Sequence, residues 1–219
     1  MACEPVPAGV TVRIAYSRGD AAVQAGDPVG VRLIELSPGA RIELPIDASA
    51  DSAWLVLEGR VDIGGESCAA FDYQERCAGD SRVMLATQNG ARLMVREARA
   101  SQRDPDNTAA VRTTRAGQMD WEVLADGVNR RLLAPPQGKA AAYLVRMAAG
   151  AAAPPHRHHR AEECLLLDGE MFLDDILLFS GDFQLAHAGG EHFEASSERG
   201  VLLLVHGDLD LDVIEAANR

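Results

Sequence analysis

Apolar residues along this chain come in short runs separated by Gly, Pro, Asp or Asn, as in "VGVRLIELSPG", "SAWLVLEGRVDIGG", "AAYLVRMAAG", "CLLLDGEMFLDD" and "GVLLLVHGD". Runs this short, bounded by turn formers, suit buried or half-buried strands; a helix needs a longer stretch of 3.6-residue periodicity. "LVLEG" (55–59) and "LLLDG" (165–169) each close on an acidic residue and a glycine, which predicts a turn between strands. Helical candidates are few, and the tail "DLDVIEAANR" (210–219) is one. The expected fold class is all-β.

The two halves of the pattern repeat. "LIELSPGARIELPIDASADSAWLVLEGRVDI" (33–63) lies on "LVRMAAGAAAPPHRHHRAEECLLLDGEMFL" (144–173) with one extra residue in the first copy. Gly39 then matches Gly150, Gly59 matches Gly169, and "GARLMV" (90–95) matches "GVLLLV" (200–205). A period of about 110 residues is far too long for a solenoid and indicates two copies of one β domain, a barrel or a sandwich. The polar stretch "REARASQRDPDNTAAVRTTRAGQMD" (96–120) reads as an extended connection. The expected division is 1–100, a linker over 101–118, and 119–219.

Composition narrows the function. The chain has 219 residues, 47% hydrophobic and 25% charged, enough apolar mass for a core. Its formal net charge is -12, which disfavours direct binding of nucleic acid or of an anionic membrane surface. No apolar run approaches the length of a membrane span, and the N-terminus does not resemble a signal peptide. Cys3, Cys68, Cys77 and Cys164 are scattered without a CxxC pair and read as reduced thiols. A cytoplasmic protein is expected.

All six histidines (His156, His158, His159, His187, His192, His206) lie in the second half. So sharp a difference between two copies implies that the second does something the first does not. After Pro154 and Pro155, a strand would point His156 and His158 to one face, with Arg157 and His159 opposite. A tight bend would bring Glu162 to the same face, and His192 follows the turn "AHAGGE". Three imidazoles and a carboxylate suit Zn, Fe, Mn or Ni. The competing reading is a few histidines satisfied within core or surface. Glu163, His187 and Gln184 are candidates to orient the ligands, and Gln184, His187, Tyr143 and Arg146 to face a pocket.

"GAAAPPHRHHRAEECLLLDG" resembles the first cupin motif, G-x5-HxH-x3-E-x6-G, through Gly150, His156, His158, Glu162 and Gly169. "GDFQLAHAGGEHFEAS" resembles the second, with Gly181, Gly189 and His192 in register, His187 in place of its Pro and Ser196 in place of its Asn. The resemblance implies a jelly-roll (double-stranded β-helix) barrel with one divalent transition metal (Zn, Fe, Mn or Ni) on His156, His158, Glu162 and His192. The chain would then hold two tandem cupin barrels. The first copy carries Pro45, Asp47 and Ser52 at the His, His and Glu positions and is expected to be metal-free.

Residues 119–208 also resemble the cupin domain of ChrR-type anti-sigma factors, through Trp121, Gly127, Val128, Leu144 to Arg146, His159 and Glu163. That implies a regulatory or sensory role, with a sigma factor, another regulatory protein or a small-molecule ligand as partner. The His- and Cys-liganded zinc domain that holds the sigma factor in those proteins is not expected here, since Cys3 stands alone and the first half has no histidine. The alternative function is a metal-dependent, Fe(II)-type dioxygenase acting on a small diketone or phenol. Open strand edges suggest a homodimer.

Overall fold

The structure is a computed structural model that describes residues 9–17, 28–100, 110–136, 140–210 and 212–214. Among these residues there is no helix, and the chain divides into two compact units, Met1–Ala116 and Gly117–Arg219. Among the described residues no helix is long and apolar enough to cross a membrane.

The first unit runs β1 (Val10–Ser17), β2 (Pro28–Leu36), β3 (Arg41–Pro45), β4 (Ala50–Ile63), β5 (Glu66–Ala69), β6 (Tyr73–Arg76), β7 (Arg82–Ala86), β8 (Ala91–Arg99) and β9 (Val111–Thr114). Neighbouring strands follow the order β1-β2-β8-β4-β6-β9, with β5 and β7 also on β4 and β3 on β7, all antiparallel. Ile42 and Leu44 alternate inward from exposed neighbours on β3, the half-buried pattern. The centre of β4 is continuous instead, with Trp54, Leu55 and Val56 all fully buried, as a strand covered on both faces requires.

The second unit runs β10 (Trp121–Ala125), β11 (Val128–Leu132), β12 (Ala140–Met147), β13 (Ala151–Ala153), β14 (His156–Arg157), β15 (Glu162–Leu173), β16 (Ile176–Phe179), β17 (Phe183–Ala186), β18 (Glu191–His192), β19 (Ala195–Ser197), β20 (Val201–Asp208) and β21 (Asp212–Val213). The order β11-β12-β20-β15 repeats β1-β2-β8-β4, and β16 and β17 sit on β15 as β5 and β6 sit on β4. The register repeats as well: Trp54 lies opposite Val95 and Gln74, and Cys164 opposite Val205 and Gln184. Each unit has its own apolar core, built on Trp54 in the first and around Tyr143, Met147 and Met171 in the second.

Three expectations are corrected. "LVLEG" and "LLLDG" are not turns, because Gly59 and Gly169 lie inside the long strands β4 and β15. Both have φ near +80°, and each adjoins a register shift against β8 or β20. A Cβ at Gly169 would lie 2.1 Å from the Gly200 carbonyl oxygen, and one at Gly59 would lie 2.4 Å from that of Gly90. Glycine therefore lets the strand bend across two sheets at a bulge without ending. Within the expected linker, Val111–Thr114 form β9 on the outer edge of β6; residues 101–109 lie outside the described residues. In the expected helical tail, Asp212–Val213 pair as a strand with β14, and residues 211 and 215–219 lie outside the description.

Candidate metal centre

Burial along "HRHH" alternates as a strand requires: His156 and His158 are buried, Arg157 and His159 exposed. β14 is pinned on both sides, with His156 opposite His192 on β18 and opposite Val213 on β21. The turn "HAGGE" is laced to His158, whose N–H donates to the Gly190 carbonyl at 2.9 Å and whose carbonyl accepts from Gly189 at 2.7 Å. A Cβ at Gly190 would sit 2.9 Å from the His187 carbonyl oxygen, so this close return needs glycine. The three rings converge, with centroids 4.9 Å apart for His156–His158, 5.0 Å for His158–His192 and 5.6 Å for His156–His192. Ligand atoms of His156, His158 and Glu162 all lie within 4.8 Å of one another.

The surroundings fix the ring nitrogens. His156 Nδ1 is 2.9 Å from the Pro154 carbonyl oxygen, which can only accept, so Nδ1 carries the proton and Nε2 is left as the donor atom. His192 Nδ1 is 2.9 Å from Asp174 Oδ2, a carboxylate–histidine pair of the kind that sets tautomer and raises ligand basicity. His158 Nδ1 is 3.7 Å from Glu162 Oε2, and its Nε2 is buried with no hydrogen-bond partner. Burial, then the neighbouring His156 and His192, push the His158 pKa down to about 4. Burial lowers His156 too, while it raises Glu162 to about 7 despite the Tyr143 hydroxyl beside it. Neutral imidazoles are the state a metal binds.

Three nitrogens and one carboxylate, gathered out of water and with a buried nitrogen left over, fit a divalent transition metal. An unpartnered buried imidazole nitrogen costs free energy that a metal–nitrogen bond would offset.

The centre opens on a cavity of about 80 Å³, room for a small ligand only. His156, Glu162 and His192 line it together with Tyr143, Gln184 and Arg130, and its other walls are mainly apolar, among them Val128, Met147, Met171 and Leu203. The Tyr143 hydroxyl lies 3.3 Å from Glu162 Oε2 and donates to the Asp208 carbonyl oxygen at 3.0 Å. Arg130 is tied to Glu122 and to the Leu209 carbonyl oxygen.

The expected ligands His156, His158, Glu162 and His192 are thus brought together, with Tyr143 and Gln184 beside them. Three expected neighbours lie elsewhere. Glu163 is buried but does not line the cavity, because it alternates to the face of β15 opposite Glu162. His187 is exposed on the turn before β18. Arg146 is exposed and stacks on Trp121, 4.6 Å from its ring.

Three contributors escaped the sequence reading. Asp174, which reads as a hairpin tip, holds His192 and accepts the N–H groups of Phe193 and Glu194. Asp208 receives the His159 and Arg160 N–H groups and so closes the bend that delivers Glu162. Gly207 makes room, since a Cβ there would be 2.6 Å from Glu162 Oε2. Its counterpart Glu97 in the repeat was a legible sign of that.

In the first unit other residues stand at the corresponding positions. Trp54 stands where Cys164 stands and is fully buried, filling the interior. Its Nε1–H donates to Ser52 Oγ, at the position of Glu162, at 2.9 Å. Glu97 occupies the place of Gly207 and bonds Arg32 and the Asp47 N–H.

Residues 109–209 match the family model described as "ChrR Cupin-like domain". Among solved structures, a candidate glyoxylate-induced protein of Pseudomonas aeruginosa superposes with a TM-score of 0.71 at 15% identity, over 96% of this chain and 84% of that one. A candidate dioxygenase of Nostoc punctiforme gives 0.65 at 15%, over 98% and 89%. A variant of Bacillus subtilis oxalate decarboxylase gives 0.66 at 14%, over 97% and 75%. No curated protein matches the chain significantly. The chain therefore shares the all-β jelly-roll fold of these structures, and its second unit matches the cupin-like domain model.

Proposed function

We propose that the second unit is a metal-centred ligand-binding module with a regulatory or sensory role, holding one divalent transition metal on His156, His158, Glu162 and His192. The observation that carries this reading is the buried, unpartnered His158 Nε2 in the His156–His158–Glu162 cluster, with the His192 ring 5.0 Å from that of His158, at the edge of a small apolar cavity. The match of residues 109–209 to the ChrR Cupin-like domain supports the regulatory side. A bound divalent ion would act as a Lewis acid toward a small ligand in the cavity.

The chain's own residues do the remaining work. Asp174 and the Pro154 carbonyl keep the proton of His192 and of His156 on Nδ1. Tyr143 braces Glu162 against the Asp208 backbone. Apolar walls exclude water, and Gln184 offers an amide to orient a polar ligand. Because the cavity touches three of the four donors, a metal-dependent dioxygenase acting on a small diketone or phenol is the second reading.

Elemental analysis of the tag-free protein tests the centre. About one equivalent of Zn, Fe, Mn or Ni is expected, and loss of it in His156→Ala, His158→Ala. Absence of metal after loading would sink both readings. Oxygen uptake with diketones and phenols would favour the enzyme. Its absence, with capture of a sigma factor or another regulatory protein, would favour the sensor.

A further inference from the structure

The two units keep the same glutamine and surround it differently. Gln74 on β6 lies opposite Trp54, and Gln184 on β17 lies opposite Cys164. Gln74 is fully buried and its amide is fully engaged. It accepts from Arg76 Nη1 at 3.1 Å and donates to Thr113 Oγ1 at 3.2 Å and Glu66 Oε2 at 3.4 Å. In the second unit Ala186 stands in the register place of Arg76, and Ile176 in that of Glu66. The Gln184 amide keeps neither bond and has no hydrogen-bond partner among the described residues. It nevertheless lines the cavity beside His156, Glu162 and His192. A half-buried amide facing an apolar chamber needs a partner, and the occupant of the chamber is the group left to supply it.

The other polar groups on the wall are already committed. The Tyr143 hydroxyl donates to the Asp208 carbonyl oxygen at 3.0 Å. Arg130, whose side chain is 12% exposed, is held by Glu122 at 2.5 Å, by the Leu209 carbonyl oxygen and against the Tyr143 ring. Its charge therefore has its carboxylate. Cys164 offers only a thiol, a weak hydrogen-bonding group. The remaining walls are apolar, Val145, Met147 and Leu203 among them. A carboxylate lying against them would be desolvated with no uncommitted cation among the described lining residues. The donor set, three neutral imidazoles and one carboxylate, would leave a divalent ion one net positive charge, enough for one anionic head and no more. The volume of about 80 Å³ holds roughly five to eight water-sized groups.

We propose that the cavity selects a compact, mainly apolar ligand that is uncharged away from its metal-binding end and offers one polar group to the Gln184 amide, and that it rejects small dicarboxylates. This selectivity rests on the metal-centre reading above and adds to it the class of ligand and the residue that recognises it. Gln184 meets the ligand's polar group, and the Glu122–Arg130 pair leaves no cation for a second negative charge. Cys164 leaves open the space that Trp54 fills in the first unit.

Three thiols of matched size test this by titration calorimetry against the zinc-loaded full chain. Mercaptoacetamide, isobutanethiol and mercaptoacetate share a metal-binding head and a number of non-hydrogen atoms; they end in an amide, an isopropyl group and a carboxylate. Affinities are compared as thiolates, after correction for each thiol's own pKa. The wild type is expected to bind the amide and the isopropyl compound at least about tenfold more tightly than mercaptoacetate. Gln184→Leu should weaken mercaptoacetamide roughly tenfold and leave isobutanethiol unchanged or tighter, with zinc content unaltered. Glu122→Gln, at an exposed side chain outside the cavity, frees Arg130 and should recover mercaptoacetate binding; it keeps the proposal falsifiable where Gln184→Leu does not fold. Equal or tighter binding of mercaptoacetate by the wild type overturns the proposal, as does a Gln184→Leu protein that ranks the three thiols as the wild type does. Elemental analysis of each sample separates the two readings. A chain that takes up no zinc overturns the metal centre and the ligand class together, whereas full zinc with the wrong ranking overturns the ligand class alone.

Discussion

His192 is oriented by a carboxylate eighteen residues before it in the chain. Asp174 sits at φ +53°, a left-handed conformation that aspartate tolerates better than most residues. One oxygen receives His192 Nδ1–H and the other two backbone N–H groups, so the turn and the ligand are fixed by one side chain. Asp174→Ala should lower metal affinity about 10- to 100-fold, measured by competition with a chromophoric chelator. Asp174→Asn, which keeps an acceptor, should fall between. Affinity unchanged in both would mean that Asp174 serves the turn alone. Gly207→Ala tests space instead of charge: its methyl would meet Glu162 Oε2 at 2.6 Å and Cγ at 2.8 Å. The expected result is a folded protein with metal content well below one equivalent; full loading would show that Glu162 can move aside.

At this scale legibility followed sequence distance. The HxH spacing and the burial alternation follow from local strand geometry, so His156 and His158 could be read directly. Glu162 and His192 were legible through motif spacing. Asp174 was not, because a hairpin tip that reaches an imidazole across the fold leaves no local pattern. His187 misled for the opposite reason: the tight Gly189–Gly190 return turns its side chain to solvent.

At the scale of elements, acidic-glycine pairs looked like turns and proved to be bulges within β4 and β15. The cue was sound for glycine at positive φ, yet sequence does not say whether the chain then reverses or merely bends. β9 was hidden differently. "VRTT" has no apolar alternation because its partners on β5 and β6 are charged, so a strand held by ion pairs looked like a linker. The interior of the first unit turns on Trp54, whose ring fills the place a site would need and whose N–H is satisfied by Ser52. Trp54→Ala should destabilise that unit by about 3–5 kcal/mol through lost burial and the cavity left behind. Thermal unfolding should show the loss in one transition, with the metal content of the second unit unchanged. A shift below about 1 kcal/mol would mean that neighbouring strands collapse into the space.

For the whole molecule, two copies of one strand plan have separated into a packed unit and a hollow one, and the hollow one carries groups whose protonation differs between folded and unfolded chains. In the metal-free protein His158 stays neutral down to about pH 4, while the unfolded chain protonates it near its ordinary 6.5. The unfolded state therefore holds the extra proton between those values, and stability falls as pH drops from about 6.5 toward 4. Glu162 works the other way. Its folded pKa of about 7 exceeds the ordinary 4.5, so the folded state holds the extra proton and stability falls as pH rises from about 4.5 to 7. In the wild type the two trends oppose each other where the ranges overlap. Glu162→Gln removes one of them. The melting temperature of the metal-free variant should drop more steeply on acidification from pH 6.5 to 4.5 than that of the metal-free wild type, and should exceed it above pH 7, where the buried carboxylate is charged. Melting curves of the chelated proteins across this range decide the matter. Parallel profiles would show that Glu162 titrates normally and lies in a wetter place than its neighbours imply. Divergence that disappears on adding one equivalent of metal to the wild type would tie the carboxylate to the ion that the three imidazoles are arranged to hold.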